Sequence, residues 1–307
     1  MRALEDRDGQ GGAAPPPGLV FHCSSLDPAG GFVAAASPIV AADDRGLRYG
    51  DGLFESIRVH RGVLPLQDRH LARLRDGLRR LEFPVLGLSD GEIAAILRET
   101  ARRNGVREGF VRLAVSRTGG ARGFLPPDRP GWRLVAEAGA LDLARTAAPL
   151  RCTVAPWRVD PAYPGAGVKS SSALDKVLAA RQAHAAGADE TLLLNLRDEL
   201  VEASGSNVFL VAKGAVRTPA LASGALPGIA RRVVIDALRS AGVDVSEEAL
   251  TAADALAARE MFLTNAVRGV LAVASFLEHA YAGAPGPVTR KAERLYRRAL
   301  DGRVREG

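Results

Sequence analysis

The sequence has few of the residues on which several classes of protein depend. Its two cysteines, Cys23 and Cys152, form neither a CxxC pair nor any spacing typical of a metal site. No stretch approaches a membrane-spanning length without charged residues. Aromatic residues make up 5% of the chain, and no run of basic residues alternates with them. These absences favour a reducing, cytoplasmic setting and predict no metal, no membrane association and no nucleic-acid partner.

Basic residues exceed acidic residues by a small margin. Lysine and arginine number 41 against 35 acidic residues, which gives a formal charge of +6 and a pI of about 9.8. Arginines in such an excess are suited to anionic small molecules that carry phosphate or carboxylate groups. The chain has neither GxGxxG after a first strand nor GxxxxGK(S/T), so these nucleotide-binding motifs are absent.

The length of 307 residues predicts two domains. Residues 1–18 carry acids followed by Gly and Pro, which predicts a disordered leader rather than a signal peptide. We expect a small α/β domain over 19–140, a linker over 141–147 and a large domain over 148–307. Hairpin-like strand pairs mixed with helical leucine spacing predict an α+β fold.

One lysine stands out in the stretch GAGVKSSSALDKVLAA. Lys169 follows a glycine-rich loop and precedes a predicted helix, with no carboxylate beside it for several positions. A lysine without a counter-charge loses its proton more easily in a dry site. A solvated loop lysine fits the same residues, so the stretch alone leaves both interpretations open.

Residues in four other stretches could also bind a ligand. Arg58 lies on an apolar strand and needs an anionic partner or a path to water. Glu202 follows a strand and precedes small residues, which allow a ligand to approach the backbone closely. Ile229 and Ala230 supply the first backbone donors of a helix entered through Pro-Gly, a favourable place for an anion.

The fourth stretch is a turn at the end of a predicted strand. Thr264, Asn265 and Ala266 offer a hydroxyl, an amide and a backbone N–H to the same anion. Each of the four stretches also fits ordinary surface, capping or turn chemistry.

The succession of these stretches resembles the class IV aminotransferases, which are the fold-type IV pyridoxal-phosphate enzymes. The family includes branched-chain aminotransferases, D-amino acid aminotransferases and aminodeoxychorismate lyases. The resemblance covers about residues 38–273 and rests on YGDGLFESIRV, DRHLARL, SRTGGARGFLPP, GVKSSSALDKVLAARQA, GADETLLLN, VEASGSNVF, ALPGIARRVV and EMFLTNAV. It implies a homodimer in which each chain has a small α/β domain and a larger β-barrel-like domain with flanking helices.

The resemblance also implies roles for single residues. Lys169 matches the catalytic lysine that forms a Schiff base with pyridoxal 5′-phosphate. Arg58 matches the phosphate-binding arginine, and Glu202 matches the partner of the ring nitrogen. The implied cofactor-binding residues are Arg58, Lys169, Glu202, Leu226, Ile229, Ala230, Thr264, Asn265 and Ala266. The implied substrate-binding residues are Tyr49, Phe54, Glu55 and Arg122. Many members have threonine where Ala230 stands, so one hydroxyl contact is missing.

We expect an aminotransferase that moves an amino group between a small amino acid and a 2-oxo acid. The alternative is aminodeoxychorismate lyase, because SRTGGARGFLPP resembles a loop of that group. Against the lyase, serines 170–172 replace its His-Leu-Asn. Arg122 fits an acidic substrate in either case, and Phe124 replaces the histidine of the D-amino acid enzymes. A non-catalytic binding protein that kept the fold is the remote alternative.

Overall fold

The computed structural model describes residues 18–120, 122–142 and 148–306, with 303–306 described by their backbone alone. Its first half forms an antiparallel sheet in the order β2-β1-β5-β4-β3. The strands are β1 (Leu19–Ser24), β2 (Gly31–Ala34), β3 (Gly52–Val59), β4 (Gly109–Thr118) and β5 (Gly131–Ala140). The helices are α1 (Arg45–Tyr49), α2 (Gln67–Arg80) and α3 (Asp90–Arg103).

Periodic apolar residues explain how this sheet and its helices pack. The predicted leucine face of α2 is confirmed, since Leu71, Leu74 and Leu78 are buried in one core with residues of β3. Residues alternate between buried and half-buried along all of β4, as expected for a strand with one face against helices. The other face of β3 and β4 is therefore available to the second half of the chain.

The second half forms a larger sheet in the order β11-β10-β9-β12-β13-β6-β7-β8, with β14 paired to β13. Its strands are β6 (Leu150–Val159), β7 (Glu190–Asn195), β8 (Leu200–Ala203), β9 (Asn207–Ala212), β10 (Ala215–Pro219), β11 (Val245–Glu248), β12 (Glu260–Asn265), β13 (Gly269–Phe276) and β14 (His279–Ala280). Its helices are α4 (Leu174–Ala185), α5 (Ile229–Ser240), α6 (Ala252–Ala257) and α7 (Pro287–Glu306), with a 3-10 turn over Leu221–Ser223.

This larger sheet curls back on itself. Strands β8 and β9 are far apart in the strand order, yet only residues 204–206 separate them in the chain. The Ala203 N–H donates to the Ser206 carbonyl across that turn at 2.7 Å. The end of the sheet must therefore return to its middle, which gives the sheet a barrel-like shape. The predicted α+β fold with a barrel-like second sheet and flanking helices is confirmed.

The predicted domain boundaries stay predictions. Residues 1–17 of the predicted leader and 143–147 of the predicted linker lie outside the described residues. Within the part of the chain that is described, no helix is both long enough and apolar enough to cross a bilayer.

Candidate active site

The Lys169 loop joins the two sheets. The Phe54 N–H of β3 donates to the Lys169 carbonyl at 3.0 Å, and the Ser171 N–H donates to the Gly52 carbonyl at 2.8 Å. The loop thus runs along the free edge of β3. Gly50 permits this approach, because a Cβ at that position would lie 2.4 Å from the Ser172 hydroxyl oxygen.

The Lys169 amine lies in a half-buried position beside an aromatic ring. Its Nζ is 4.3 Å from the centroid of the Phe54 ring. Burial lowers the pKa of Lys169 to about 8, and the positive charge of Arg73 adds to this, while Glu55 and Glu202 act in the opposite direction. Lys169 is therefore not a solvated loop lysine, and part of its population is neutral near pH 7.

Glu202 lies on β8 with 12% of its side chain exposed. Its Oε1 accepts from the Lys176 ammonium at 2.7 Å, and its Oε2 accepts from the Leu226 N–H at 3.0 Å. The carboxylate is also among the charges that act on Lys169. A fixed carboxylate and a lysine of lowered pKa thus belong to one site. The predicted ring residue Leu226 is half-buried beside them.

The start of α5 lies beside the ends of two strands. Gly228 caps the helix without a side-chain hydrogen bond, and a Cβ there would lie 1.9 Å from the Asn207 Oδ1. Asn207 begins β9 and is the register partner of Thr264 on β12. The N–H groups at Ile229 and Ala230 therefore open this helix close to the predicted Thr264 turn. Such a helix start favours an anion.

Two buried polar atoms in this region have no partner among the described residues, namely the Arg58 Nε and the Thr264 Oγ1. The other Arg58 nitrogens donate to the Val267 carbonyl at 3.0 Å and to Glu108 at 2.5 Å. Arg58 thus reaches the turn that follows Thr264. Unpaired buried donors are costly, so both atoms fit a site that an anionic group completes.

The side chain of Asn265 makes hydrogen bonds in and next to its own turn. Its Nδ2 donates to the Gly205 carbonyl at 2.6 Å, and its Oδ1 accepts from the N–H groups of Val267 and Arg268 at 2.9 and 3.1 Å. The amide therefore shapes the turn, and the Ala266 carbonyl accepts from the Tyr296 hydroxyl at 3.3 Å. The assignment of Asn265 and Ala266 to the cofactor stays a prediction.

Arg73 on α2 is a site residue that the sequence analysis did not identify. Its Nη1 donates to the Pro227 carbonyl at 2.9 Å, directly before Gly228 and the start of α5. Its charge is the largest charge effect on the pKa of Lys169. Helical spacing could have revealed it, since Arg73 is three residues from His70 and four from Gly77, which are both buried.

The carboxylate of Glu55 holds Arg73 in place. Its two oxygens accept from the Arg73 Nε and Nη2 at 2.8 and 2.7 Å and from the His70 Nδ1 at 2.7 Å. Burial opposes ionisation of Glu55, but these hydrogen bonds outweigh it and lower its pKa to about 2. Only 1% of the residue is exposed. Glu55 therefore supports Arg73, and its assignment as a substrate-binding residue stays a prediction.

Tyr49 connects the segment after Lys169 with the loop that contains Gly123 and Phe124. Its hydroxyl accepts from the Gly123 N–H at 3.2 Å, and its ring centroid is 5.4 Å from that of Phe124. The Ser172 hydroxyl donates to the Gly50 carbonyl at 3.2 Å, directly after Tyr49. Arg122 lies exposed on the same loop. Tyr49 and Arg122 stay predictions as substrate-binding residues.

A second arginine missed in the sequence lies near Lys169. The Arg112 guanidinium on β4 is 3.9 Å from the centroid of the Phe54 ring, the same ring that lies beside the Lys169 amine. Burial lowers the pKa of Arg112. Arg112 pairs in register with Ser56, so a strand-period argument from Phe54 could have placed it on this face.

The amino-acid sequence of this chain is similar to those of known proteins. The family model of amino-transferase class IV matches residues 52–276. A putative branched-chain-amino-acid aminotransferase of Methanocaldococcus jannaschii is 34% identical over 251 residues, which cover 80% of this chain and 85% of that protein. A D-alanine aminotransferase of Bacillus licheniformis is 29% identical over 262 residues, which cover 83% of this chain and 89% of that protein.

Solved structures have the same fold. The branched-chain amino acid aminotransferase of Escherichia coli gives a TM-score of 0.85 at 24% identity, covering 94% of this chain and 96% of that chain. A putative 4-amino-4-deoxychorismate lyase of Legionella pneumophila gives a TM-score of 0.79 at 27% identity, covering 86% of this chain and 96% of that chain.

Proposed function

Because this chain belongs to the class IV aminotransferase family, we propose that it is a pyridoxal-phosphate-dependent aminotransferase acting on a small amino acid and a 2-oxo acid. One observation carries the proposal. The half-buried Lys169 amine, with its pKa lowered to about 8, shares one site with the Glu202 carboxylate and with Arg73, which contacts the start of α5.

The donor set fits pyridoxal phosphate. A neutral lysine amine can bond to an aldehyde, and a fixed carboxylate can accept from a protonated ring nitrogen. An uncapped helix start and the unpaired buried donors of Arg58 and Thr264 suit a phosphate group. We therefore assign Lys169 to the aldehyde, Glu202 to the ring nitrogen, and Arg58 with the α5 start to the phosphate. Arg73, which the sequence analysis missed, supports that phosphate end through its contact with Pro227.

The bound cofactor supplies an electron sink for the carbon that carries the substrate amine. The residues of this chain supply the proton chemistry. Once a substrate amine has displaced it, Lys169 is a free amine that can take the proton from that carbon and return it elsewhere. Glu202 holds a proton at the ring nitrogen, because an ionised carboxylate stabilises the adjacent cation. The ring of Phe54 covers the Lys169 amine and reduces its contact with water.

Arginines near the amine favour a carboxylate substrate. Arg112 lies on the Phe54 ring, and Arg122 lies on the loop that Tyr49 contacts. A guanidinium can hold a carboxylate with two parallel hydrogen bonds. We propose that these two residues bind the substrate carboxylates, with Arg122 acting across the interface of a homodimer. We also propose a cytoplasmic location, which the two free buried cysteines favour.

The second candidate is 4-amino-4-deoxychorismate lyase, which eliminates pyruvate and leaves 4-aminobenzoate. The specific observation in its favour is the likeness to the putative 4-amino-4-deoxychorismate lyase of Legionella pneumophila, which is 27% identical to this chain. The loop around Arg122 also resembles the loop of that group. The same lysine and carboxylate would serve either reaction, so the site residues alone do not separate the two.

A substrate panel tests the proposal. The protein loaded with pyridoxal phosphate would be incubated with L- and D-amino acids and either 2-oxoglutarate or pyruvate, and aminodeoxychorismate would be tested in parallel. Amino transfer that is lost in Lys169→Ala supports the aminotransferase. Release of 4-aminobenzoate without amino transfer supports the lyase. A protein that binds the cofactor but catalyses neither reaction overturns both and favours the non-catalytic binding protein.

A further inference from the structure

A second lysine lies in the same site, seven residues after Lys169. The chain has four lysines among its 41 basic residues, namely Lys169, Lys176, Lys213 and Lys291. The other 37 of these residues are arginines. Two of the four lysines thus fall within one short segment, and the proposed reaction uses only the first of them.

The position of Lys176 in its helix calls for an explanation. Lys176 lies in the first turn of α4, where the helix dipole favours an acidic residue and disfavours a cation. The N-cap Ala173 makes no side-chain hydrogen bond that would offset this. Helix stability therefore does not account for a lysine at this position, and its partner must be sought in another element.

That partner is Glu202. The Lys176 Nζ lies 2.7 Å from the Glu202 Oε1, and the two side chains are 30% and 12% exposed. The Glu202 Oε2 accepts from the Leu226 N–H at 3.0 Å, and the Asn207 Nδ2 approaches it at 3.5 Å. The carboxylate is thus fixed from two sides, by α4 at one oxygen and by the segment before α5 at the other. It cannot rotate without breaking one of these contacts.

We propose that Lys176 is a positioning residue for Glu202, and this rests on the proposed function. It holds the carboxylate in one orientation toward the ring nitrogen of the cofactor. Because Lys169 and Lys176 lie at the two ends of one short segment, the same contact fixes Glu202 relative to Lys169. Lys176 does not touch the reacting atoms itself.

The charges around Glu202 also favour a positioning role for Lys176. Lys176 from α4 donates to this carboxylate, and Lys169 from the preceding loop interacts with its charge. Lys169 loses its positive charge when it becomes the neutral amine that attacks an aldehyde. Lys176 then remains as a cation in direct contact with Glu202 while the cofactor binds.

Cofactor affinity measured without any substrate tests this inference. The apoprotein would be titrated with pyridoxal phosphate between pH 5.5 and 8.5, with binding followed by protein fluorescence. We expect Lys176→Met to bind about tenfold more weakly at pH 7, the effect of losing one partly exposed charge-assisted hydrogen bond.

Two further variants test whether the effect is specific to the positive charge at position 176. Lys176→Arg keeps the charge and should restore the affinity. Arg181→Met removes an exposed cation from the same helix and should behave as the parent protein does. Thermal unfolding of each apoprotein checks the fold.

Three outcomes overturn the proposal. Parent-like affinity in Lys176→Met overturns it and leaves the proposed function standing. An equal loss of affinity in Lys176→Met and Lys176→Arg, with equal falls in unfolding temperature, assigns Lys176 to packing. A parent protein that does not bind pyridoxal phosphate overturns both this inference and the proposed function.

Discussion

Lys169 should react with the aldehyde of pyridoxal phosphate with a pH midpoint of about 8. Only the neutral amine attacks, and the site lowers its pKa from the ordinary 10.5 to about 8. At pH 7.5 about a quarter of the amines are then neutral, against roughly one in a thousand for an ordinary lysine. The expected gain in the reactive form is about two hundredfold. Reactivity should rise with pH through 8 and level off above 9.

Changing the neighbouring charges should move this midpoint in a set direction. Arg73 lowers the pKa of Lys169 and Glu55 raises it, so Arg73→Gln should move the midpoint upward. The double variant Glu55→Gln/Arg73→Gln removes both charges and should return it toward 8, because burial remains the main cause. Arg79→Gln alters an exposed arginine on the same helix and should change nothing.

The assay combines absorbance with chemical trapping. The apoprotein is mixed with pyridoxal phosphate between pH 6 and 10, the initial rate is followed by absorbance, and borohydride then fixes the adduct. Since the chain has four lysines, peptide mapping identifies the labelled one without ambiguity. A midpoint near 10.5 would refute the reasoning. Equal labelling of the parent and Lys169→Ala would refute it as well.

Four other substitutions have expected outcomes. Glu202→Gln should bind pyridoxal phosphate but lose most turnover, because a neutral amide cannot hold the ring nitrogen protonated; unchanged turnover would contradict its role. Arg58→Ala should weaken cofactor binding ten- to hundredfold, since a charge-assisted contact contributes about 1.5–3 kcal/mol. Equal cofactor affinity of Arg58→Ala and the parent in equilibrium dialysis would show that Arg58 does not bind the phosphate. Arg122→Ala should raise the Michaelis constant for carboxylate substrates without altering the absorbance spectrum of the bound cofactor. Identical kinetics in the variant and the parent would show that Arg122 is an ordinary surface residue. Glu55→Ala should cost about 3–5 kcal/mol of unfolding free energy in urea, because it leaves Arg73 unpaired; a loss below 1 kcal/mol would argue against the buried pair.

The sequence predicts most where local periodicity decides the structure. The leucines of α2 have a single consistent helical spacing, and this helix forms as expected. The five-residue helix α1 was not foreseen. Its buried Arg45 is held by Asp51 at 2.8 Å and by the carbonyls of Gly123 and Phe124 at 3.2 and 2.5 Å. Those loop partners are nearly eighty positions away, so no short window of sequence contains the reason for its burial.

The site residues also divide into those that local sequence marks and those that depend on contacts distant in the chain. Lys169 is recognisable because its loop carries its own signal, a glycine-rich turn followed by small residues. Glu55 is not, because its character depends on His70 and Arg73, which lie on a helix 15 and 18 positions further along the chain. From the strand alone, a carboxylate beside Phe54 looks available to a ligand. Only the packing of α2 on β3 reveals that it is buried and paired.

The low pKa of Lys169 requires both halves of the chain. Lys169 and Glu202 belong to the second half, while Phe54 and Arg73 belong to the first. The half-buried position depends on the edge of β3, and the main charge effect comes from α2. If the two sheets separated at this edge, water would reach the amine and its pKa would rise toward 10.5. The reactivity of Lys169 therefore measures how closely the two sheets are packed, and the neutral amine is a property of their junction rather than of the loop that carries it.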